Sequence, residues 1–348
     1  MTTIINGSSP SITFSDGSAQ TSATRPFLNR IINGGMDIAQ RGTSFTSGAN
    51  NNDAYVLDRF YILSDGNDAI DVTQTTTVPT GAKYSIGLDV ETTNKKFGIA
   101  QIIENANCFD AIGGAVTLSF QAKVSATTKL DNVKCAIVAW SGTADSVTSD
   151  IISAWNVEGT NPTLIANATY ENTPANLNVT TSFATYSVTA NVDTASTSNI
   201  IVFIWSDVTD TTAGDFLYIT NIQLEKGSTA TSFDYRSIGT ELALCQRYYA
   251  EFPASSQMAA YTSSATEIVG TVNLPVQMRA TPSVTSTGGS KYGWYDTSYD
   301  ASSSNTVSMA TTGSLATYAI AQAGFGGLTT LRSRILQSDT AYKFSAEL

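Results

Sequence analysis

The feature that most constrains this chain is a two-residue hydrophobic period that returns in one short stretch after another. Tyr84, Ile86, Leu88 and Val90 alternate with Ser85, Gly87 and Asp89, and Val116, Leu118, Phe120 and Ala122 alternate with Thr117, Ser119, Gln121 and Lys123. Successive side chains of a strand point to opposite faces, so each stretch reads as a strand with one apolar and one wet face. Ala136, Val138 and Trp140 repeat the pattern, as do Tyr186, Val188 and Ala190. The run Ile200 to Trp205 is apolar throughout and reads as a central strand covered on both faces. Turn-rich intervals such as Ser64-Asp65-Gly66-Asn67 and Thr160-Asn161-Pro162 separate the stretches. Many short strands with no helical period between them predict an all-β fold over residues 28–236, a jelly-roll-like β-sandwich.

The pattern breaks at two informative places. Leu217 and Ile219 alternate with Tyr218 and Thr220, then the apolar positions slip by one to Ile222 and Leu224, which a bulge at Asn221 would accommodate. After Gly239, Leu242, Cys245 and Tyr249 fall at three- and four-residue spacings, which predicts a short amphipathic helix over 241–249 capped by Thr240. Its apolar side is expected to sit between two β domains. Beyond it, residues 237–348 read as a smaller C-terminal β domain. Thr330, Arg332, Arg334 and Leu336 alternate with Leu331, Ser333 and Ile335, and Tyr342 to Leu348 is again strand-like. Gly288 to Ser304 reads as a Gly/Ser/Asp-rich loop projecting from this scaffold.

Composition excludes several chemistries. The chain has no histidine, which removes every catalytic arrangement built on an imidazole base and most transition-metal sites. Its net charge of -11, with Lys and Arg scattered, argues against a nucleic-acid partner. Ser and Thr make up roughly a quarter of the 348 residues, so hydroxyls rather than charges carry solubility. Cys108, Cys135 and Cys245 have no paired spacing and read as reduced and mostly buried. No apolar run reaches the length of a membrane span, and no basic-then-apolar leader opens the sequence, so no membrane insertion and a cytoplasmic origin are expected.

Three groups of residues are candidates for chemistry. Asp207, Asp210 and Asp215 lie near one strand end, where two carboxylates could cleave a glycan. With 29 acidic residues such clusters arise by chance, and the chain is read as a non-enzyme with glycan hydrolysis as an outside alternative. Asp65, Asn67, Asp68 and Asp71 place oxygen ligands close together, as a structural calcium ion would need, and as a plain turn would also need. No other cofactor is indicated. Aromatic side chains offer stacking surfaces to sugar rings while neighbouring polar groups bond the hydroxyls, which makes Trp155, Tyr292, Trp294, Tyr295 and Tyr299 the glycan or receptor-binding candidates. Contact between subunits is the competing use for such aromatics. Trp140 and Trp205 end strands and read as packing residues.

Two blocks of sequence carry a resemblance. One runs from Gln223-Leu224-Glu225-Lys226-Gly227 through Phe233-Asp234-Tyr235-Arg236 to the stretch from Glu241 to Tyr249. The other is the stretch from Asn33 to Gly42, followed by Leu57-Asp58-Arg59-Phe60-Tyr61. Together they resemble tailed-bacteriophage fibre and appendage proteins, whose modules look like carbohydrate-binding sandwiches. The resemblance implies a virion protein that forms a homotrimer, joins other phage virion proteins and touches a host cell-surface glycan. A tail fibre is the first expectation, a capsid-attached head fibre or decoration protein the alternative. Residues 1–27 are too polar to form a core, with Ile4, Ile5, Ile12 and Phe14 as apolar anchors, and Asp16-Gly17 reads as a turn between short strands. They are either a loose tail or an arm that attaches to a virion partner.

Overall fold

The computed structural model describes residues 28–194, 196–295, 298–311 and 316–348, together with the backbone of three short strands, Ile4–Asn6, Ser11–Thr13 and Ala19–Gln20. Apart from two short helices, Asn105–Cys108 and Ile238–Gln246, the regular structure is antiparallel sheet. The alternating stretches form two stacked sheets. One has five strands in the order Ala168–Tyr170, Val133–Trp140, Asn199–Ser206, Phe97–Ile103, Tyr61–Ser64. The other has six, in the order Ala184–Asn191, Ala115–Val124, Phe216–Lys226, Ser85–Val90, Ile70–Thr75, Ser44–Phe45. From Phe97 to Lys226 successive long strands cross from one sheet to the other, which is the route of a jelly roll. Val116, Leu118 and Phe120 meet Val133, Ile137, Val202 and Ile204 in the core between the sheets.

The expected bulge is present. Strand 216–226 shifts its pairing with 115–124 between Thr220 and Gln223, and Asn221 takes a left-handed backbone with φ 51°. Asn199–Ser206 is the middle strand of its sheet and is buried along its whole length. So is Val133–Trp140, which the alternation placed with one wet face. The difference arises because the five-stranded sheet is covered on its outer side as well. Tyr61, Ala136, Val138, Trp140, Ile201, Phe203 and Trp205 form a second core there with Cys245 and Tyr248 of the helical segment and with Leu348.

The helix begins at Ile238, one turn before the expected start. Ser237 is its N-cap, and the Ser237 carbonyl accepts the Glu241 N–H at 3.0 Å, which leaves Thr240 inside the first turn. All three cysteines are free and buried, and burial pushes the Cys108 thiol up to about 11 and the Cys135 thiol up to about 12. Such thiols carry little thiolate at neutral pH.

The C-terminal strands make a second sandwich. A seven-stranded sheet runs Ser298–Ser302, Lys291–Tyr295, Ser333–Ser338, Gln257–Ser264, Glu267–Asn273, Thr317–Ala323, Val307–Met309. A three-stranded sheet, Tyr249–Phe252, Tyr342–Ser345, Ser283–Ser286, covers one of its faces. Met258, Ile268, Tyr318, Ile320, Leu336 and Phe344 fill the space between. The strand read from Thr330 begins at Ser333, because Leu331 is 84% exposed and left-handed at φ 60°. Much of the stretch read as a projecting loop is a β-hairpin, 291–295 against 298–302, added to the edge of the sheet. Its polar residues are divided: Ser298 is exposed on a strand, whereas Lys291 and Ser302 are buried.

Candidate functional site

Alternation along the hairpin decides what it presents. Lys291 and Gly293 face the core, while Tyr292 and Trp294 face out. A Cβ at Gly293 would stand 2.2 Å from Ile268 Cδ1, so any side chain there requires the Ile268 side chain to shift. Trp294 lies opposite Tyr299 on one neighbouring strand and opposite Ile335 on the other. The ring centres of Trp294 and Tyr299 are 4.7 Å apart, those of Tyr292 and Tyr299 5.2 Å, and those of Tyr292 and Trp294 6.1 Å. Gln337 fixes the indole by accepting its Nε1–H at 3.2 Å, and Asp339 accepts the Tyr292 hydroxyl at 3.3 Å. Tyr299 remains 49% exposed and Ile335 42%. A shallow depression of about 220 Å³ lies alongside, lined by Trp294, Tyr295, Ser333, Arg334 and Ile335. The arrangement is a rigid aromatic platform with amide and carboxylate groups at its margin, suited to stacking and hydrogen bonding with a sugar ring.

Tyr292, Trp294 and Tyr299 are thus brought together as candidates, and Tyr295 and Trp155 are not. Two guanidinium groups stack on the Tyr295 ring, Arg332 at 4.1 Å and Arg334 at 4.3 Å, and Arg334 is anchored by Asp300 at 2.6 Å. That ring is spent on holding the hairpin. Trp155 lies on the outer side of the first sandwich, edge-on to Phe203 at 6.0 Å, where it helps cover the stacked Phe203 and Trp205 rings. It is part of a core lid, because the hairpin 152–164 folds back over the sheet.

The acidic candidates separate. Asp207 is fully buried and accepts hydrogen bonds from Lys96 Nζ at 2.5 Å, Lys134 Nζ at 2.8 Å and the Gly159 N–H at 2.9 Å. Asp210 pairs with Lys129 at 2.9 Å on the surface, and Asp215 accepts the Thr212 hydroxyl at 2.8 Å. Each carboxylate is engaged in its own local bonds. The calcium candidates are also redistributed. Asp65 points to Lys95, 4.0 Å away, and Asn67 is exposed, whereas Asp68 and Asp71 meet Glu91 with one oxygen of each within 4.8 Å of the others. Strand pairing of Ile70 with Val90 brings Glu91 there. The hydrogen bond and charge of Asp71 raise the Glu91 carboxyl above its usual value. Three carboxylates suit a hard divalent cation by donor type, and calcium would need three or more further oxygens.

Several structural roles had no sequence signal beyond a lysine or arginine inside an apolar run. The two resembling blocks converge on a buried polar joint that fastens the helical segment to the first sandwich. Glu241 pairs with Arg236 at 3.2 Å and accepts the Asn33 N–H. Arg59 lies 3.6 Å from the centre of the Tyr248 ring and pairs with Glu347, and Arg41 stacks on Tyr249 at 3.7 Å and also bonds Glu347, at 2.9 Å. Burial pushes the Glu104 carboxyl up, but hydrogen bonds from Arg247 at 2.7 Å and the Tyr248 hydroxyl at 2.8 Å outweigh it and hold the group below its usual value. Of the attachment candidates, Ile4, Ile5 and Ile12 fall in the described backbone, where Ile5 pairs with Ile12. Their side chains, and all of Phe14, lie outside the described residues.

No protein-family model matches the sequence, and no curated protein does either. Among solved structures, the chain is similar to the enzymatically active domain of tailspike protein 4 of bacteriophage CBA120 at 16% identity and TM-score 0.34, over 59% of this chain and 22% of that one. The match therefore spans about a fifth of the tailspike domain's length. It is also similar to the CBM22-1 xylan-binding domain of Paenibacillus barcinonensis Xyn10C, at 12% identity and TM-score 0.31 over 60% of this chain and all of that one. A third likeness, to TmCBM61 in complex with β-1,4-galactotriose, has 13% identity and TM-score 0.27 over 48% of this chain and 88% of that one. What this chain binds has to be read from its own side chains.

Proposed function

We propose that this chain is a non-enzymatic phage fibre protein, carried on the virion tail as a homotrimer, that holds a host-surface glycan on the Tyr292–Trp294–Tyr299 platform. The observation that carries the reading is a three-ring cluster on the outer face of a sheet, fixed by Gln337 and Asp339 and covered by no other described element. A single stacking site of this kind is weak, and several presented together on one particle bind by avidity. The separate engagement of Asp207, Asp210 and Asp215 supports binding without bond cleavage. The polar arm, residues 1–27, is the proposed attachment to other virion proteins.

The test replaces Trp294 and Tyr299 by Ala together. Host adsorption is expected to fall by about tenfold or more, each decade being about 1.4 kcal/mol, while the assembled mass stays a threefold multiple of 36.7 kDa. Unchanged adsorption with loss of the trimer refutes the platform and assigns the rings to a subunit interface, the reading favoured by the nearby exposed Tyr261, Ile335 and Leu331. In that case a capsid-attached fibre becomes the better description.

A further inference from the structure

A pocket of about 210 Å³ opens on the first sandwich where the turn 33–37 faces the segment 233–238. It is smaller than the roughly 300–1,000 Å³ of sites for drug-sized ligands, and so fits one ring rather than a chain of them. One wall is aromatic: Phe233 and Tyr235 meet edge to face at 4.7 Å, and Ile238 beside them is exposed. Tyr235 is held in place by donating to the Gly81 carbonyl at 2.9 Å. The floor is rigid, since Arg236 and Glu241 are paired with each other and bonded to the backbone at Ile31 and Asn33. Gly35 keeps the mouth open, because a Cβ there would come within 2.9 Å of Asp37 Oδ2 and 3.7 Å of the Phe233 ring.

Two charged groups at this pocket have no hydrogen-bond partner among the described residues. Asp37 makes no hydrogen bond among the described residues, and burial raises its carboxyl above the usual value, with Lys83 opposing and Glu241 adding to the rise. Lys83 is exposed, with its ammonium 4.9 Å from the Tyr84 ring centre. An anion entering here would meet Asp37 and a cation would meet Lys83. A neutral ligand rich in hydroxyls uses both, donating to the carboxylate and accepting from the ammonium, while its apolar ring face lies on Phe233.

We propose that this pocket is a second binding site that takes one neutral, hexose-sized sugar ring between Phe233, Asp37 and Lys83. It is independent of the platform at Tyr292, Trp294 and Tyr299, and neither reading requires the other. The test is saturation-transfer NMR on the full chain with methyl glycosides of glucose, galactose, N-acetylglucosamine and rhamnose at millimolar concentration. At least one glycoside is expected to bind, and Asp37→Ala and Lys83→Ala each to weaken it about tenfold or more, the loss of one charge-assisted hydrogen bond. Trp294→Ala with Tyr299→Ala should leave that binding unchanged. Lys83 is exposed, so Lys83→Ala keeps the test decisive should Asp37→Ala fail to fold. The proposal is overturned if no glycoside binds, if binding survives Lys83→Ala, or if it is lost only with Trp294 and Tyr299. Tighter binding of glycine or of a uronic acid than of every neutral glycoside also overturns it.

Discussion

Replacing Asp207 by Ala tests how the first sandwich holds the hairpin that carries Trp155. The Asp207 side chain is 0% exposed, and those of Lys96 and Lys134 are 1% and 6% exposed. The carboxylate accepts from both ammonium groups and from the Gly159 N–H, so its removal leaves two buried cations facing each other. Breaking a buried charge pair in this way costs about 3–5 kcal/mol. Residual bonds moderate the loss: Lys96 keeps the Val157 carbonyl at 3.0 Å, and Lys134 keeps Asn161 Oδ1 at 3.0 Å. The lower end, about 3 kcal/mol, is therefore expected. At about 2–4 °C per kcal/mol for a domain of this size, the melting temperature should fall by about 6–12 °C in calorimetry at pH 7. Loss of the bond from the Gly159 N–H to Asp207 loosens residues 157–161, so limited proteolysis should move to that loop. Substituting Lys96→Met, Asp207→Leu and Lys134→Met together removes the charges along with their desolvation and should recover most of the loss. A loss under about 1 kcal/mol for Asp207→Ala would refute the argument, because it would mean the lysines reach water without cost.

Two further outcomes follow from the electrostatics. Glu104 has a folded-state value below its ordinary 4.5, so its contribution is present above pH 4.5 and is lost as pH falls through the folded value. Glu104→Gln should flatten that part of the acid unfolding profile, only modestly because Arg247 is partly exposed and salt screens the pair; an unchanged profile contradicts the assignment. At Asp68, Asp71 and Glu91, millimolar calcium is expected to raise the melting temperature and Glu91→Gln to reduce that rise; a melting temperature indifferent to calcium leaves the three carboxylates to solvent.

Period-two alternation, the central strand at 199–206 and the bulge at Asn221 were all readable in the sequence. Each is a local consequence of strand geometry: side chains alternate with a period of two, and one extra residue shifts the register. A helix near Leu242 and Cys245 was readable for the same reason, though its first turn was not, since Ser237 and Thr240 are both acceptable caps and only the backbone of Ser237 decides between them. Pairing across the chain was beyond local pattern. Glu91 joins Asp68 and Asp71 only because the strand 85–90 pairs with 70–75, and Asp207, just after the strand 199–206, becomes a buried anchor only because that strand is flanked by 133–140, which bears Lys134, and by 97–103, which Lys96 immediately precedes. Trp155 and Trp294 look alike in sequence, as aromatics among polar neighbours. The tertiary structure folds one onto Phe203 and leaves the other on a sheet face that no other described element covers, and coverage of a face depends on which distant segment lies over it.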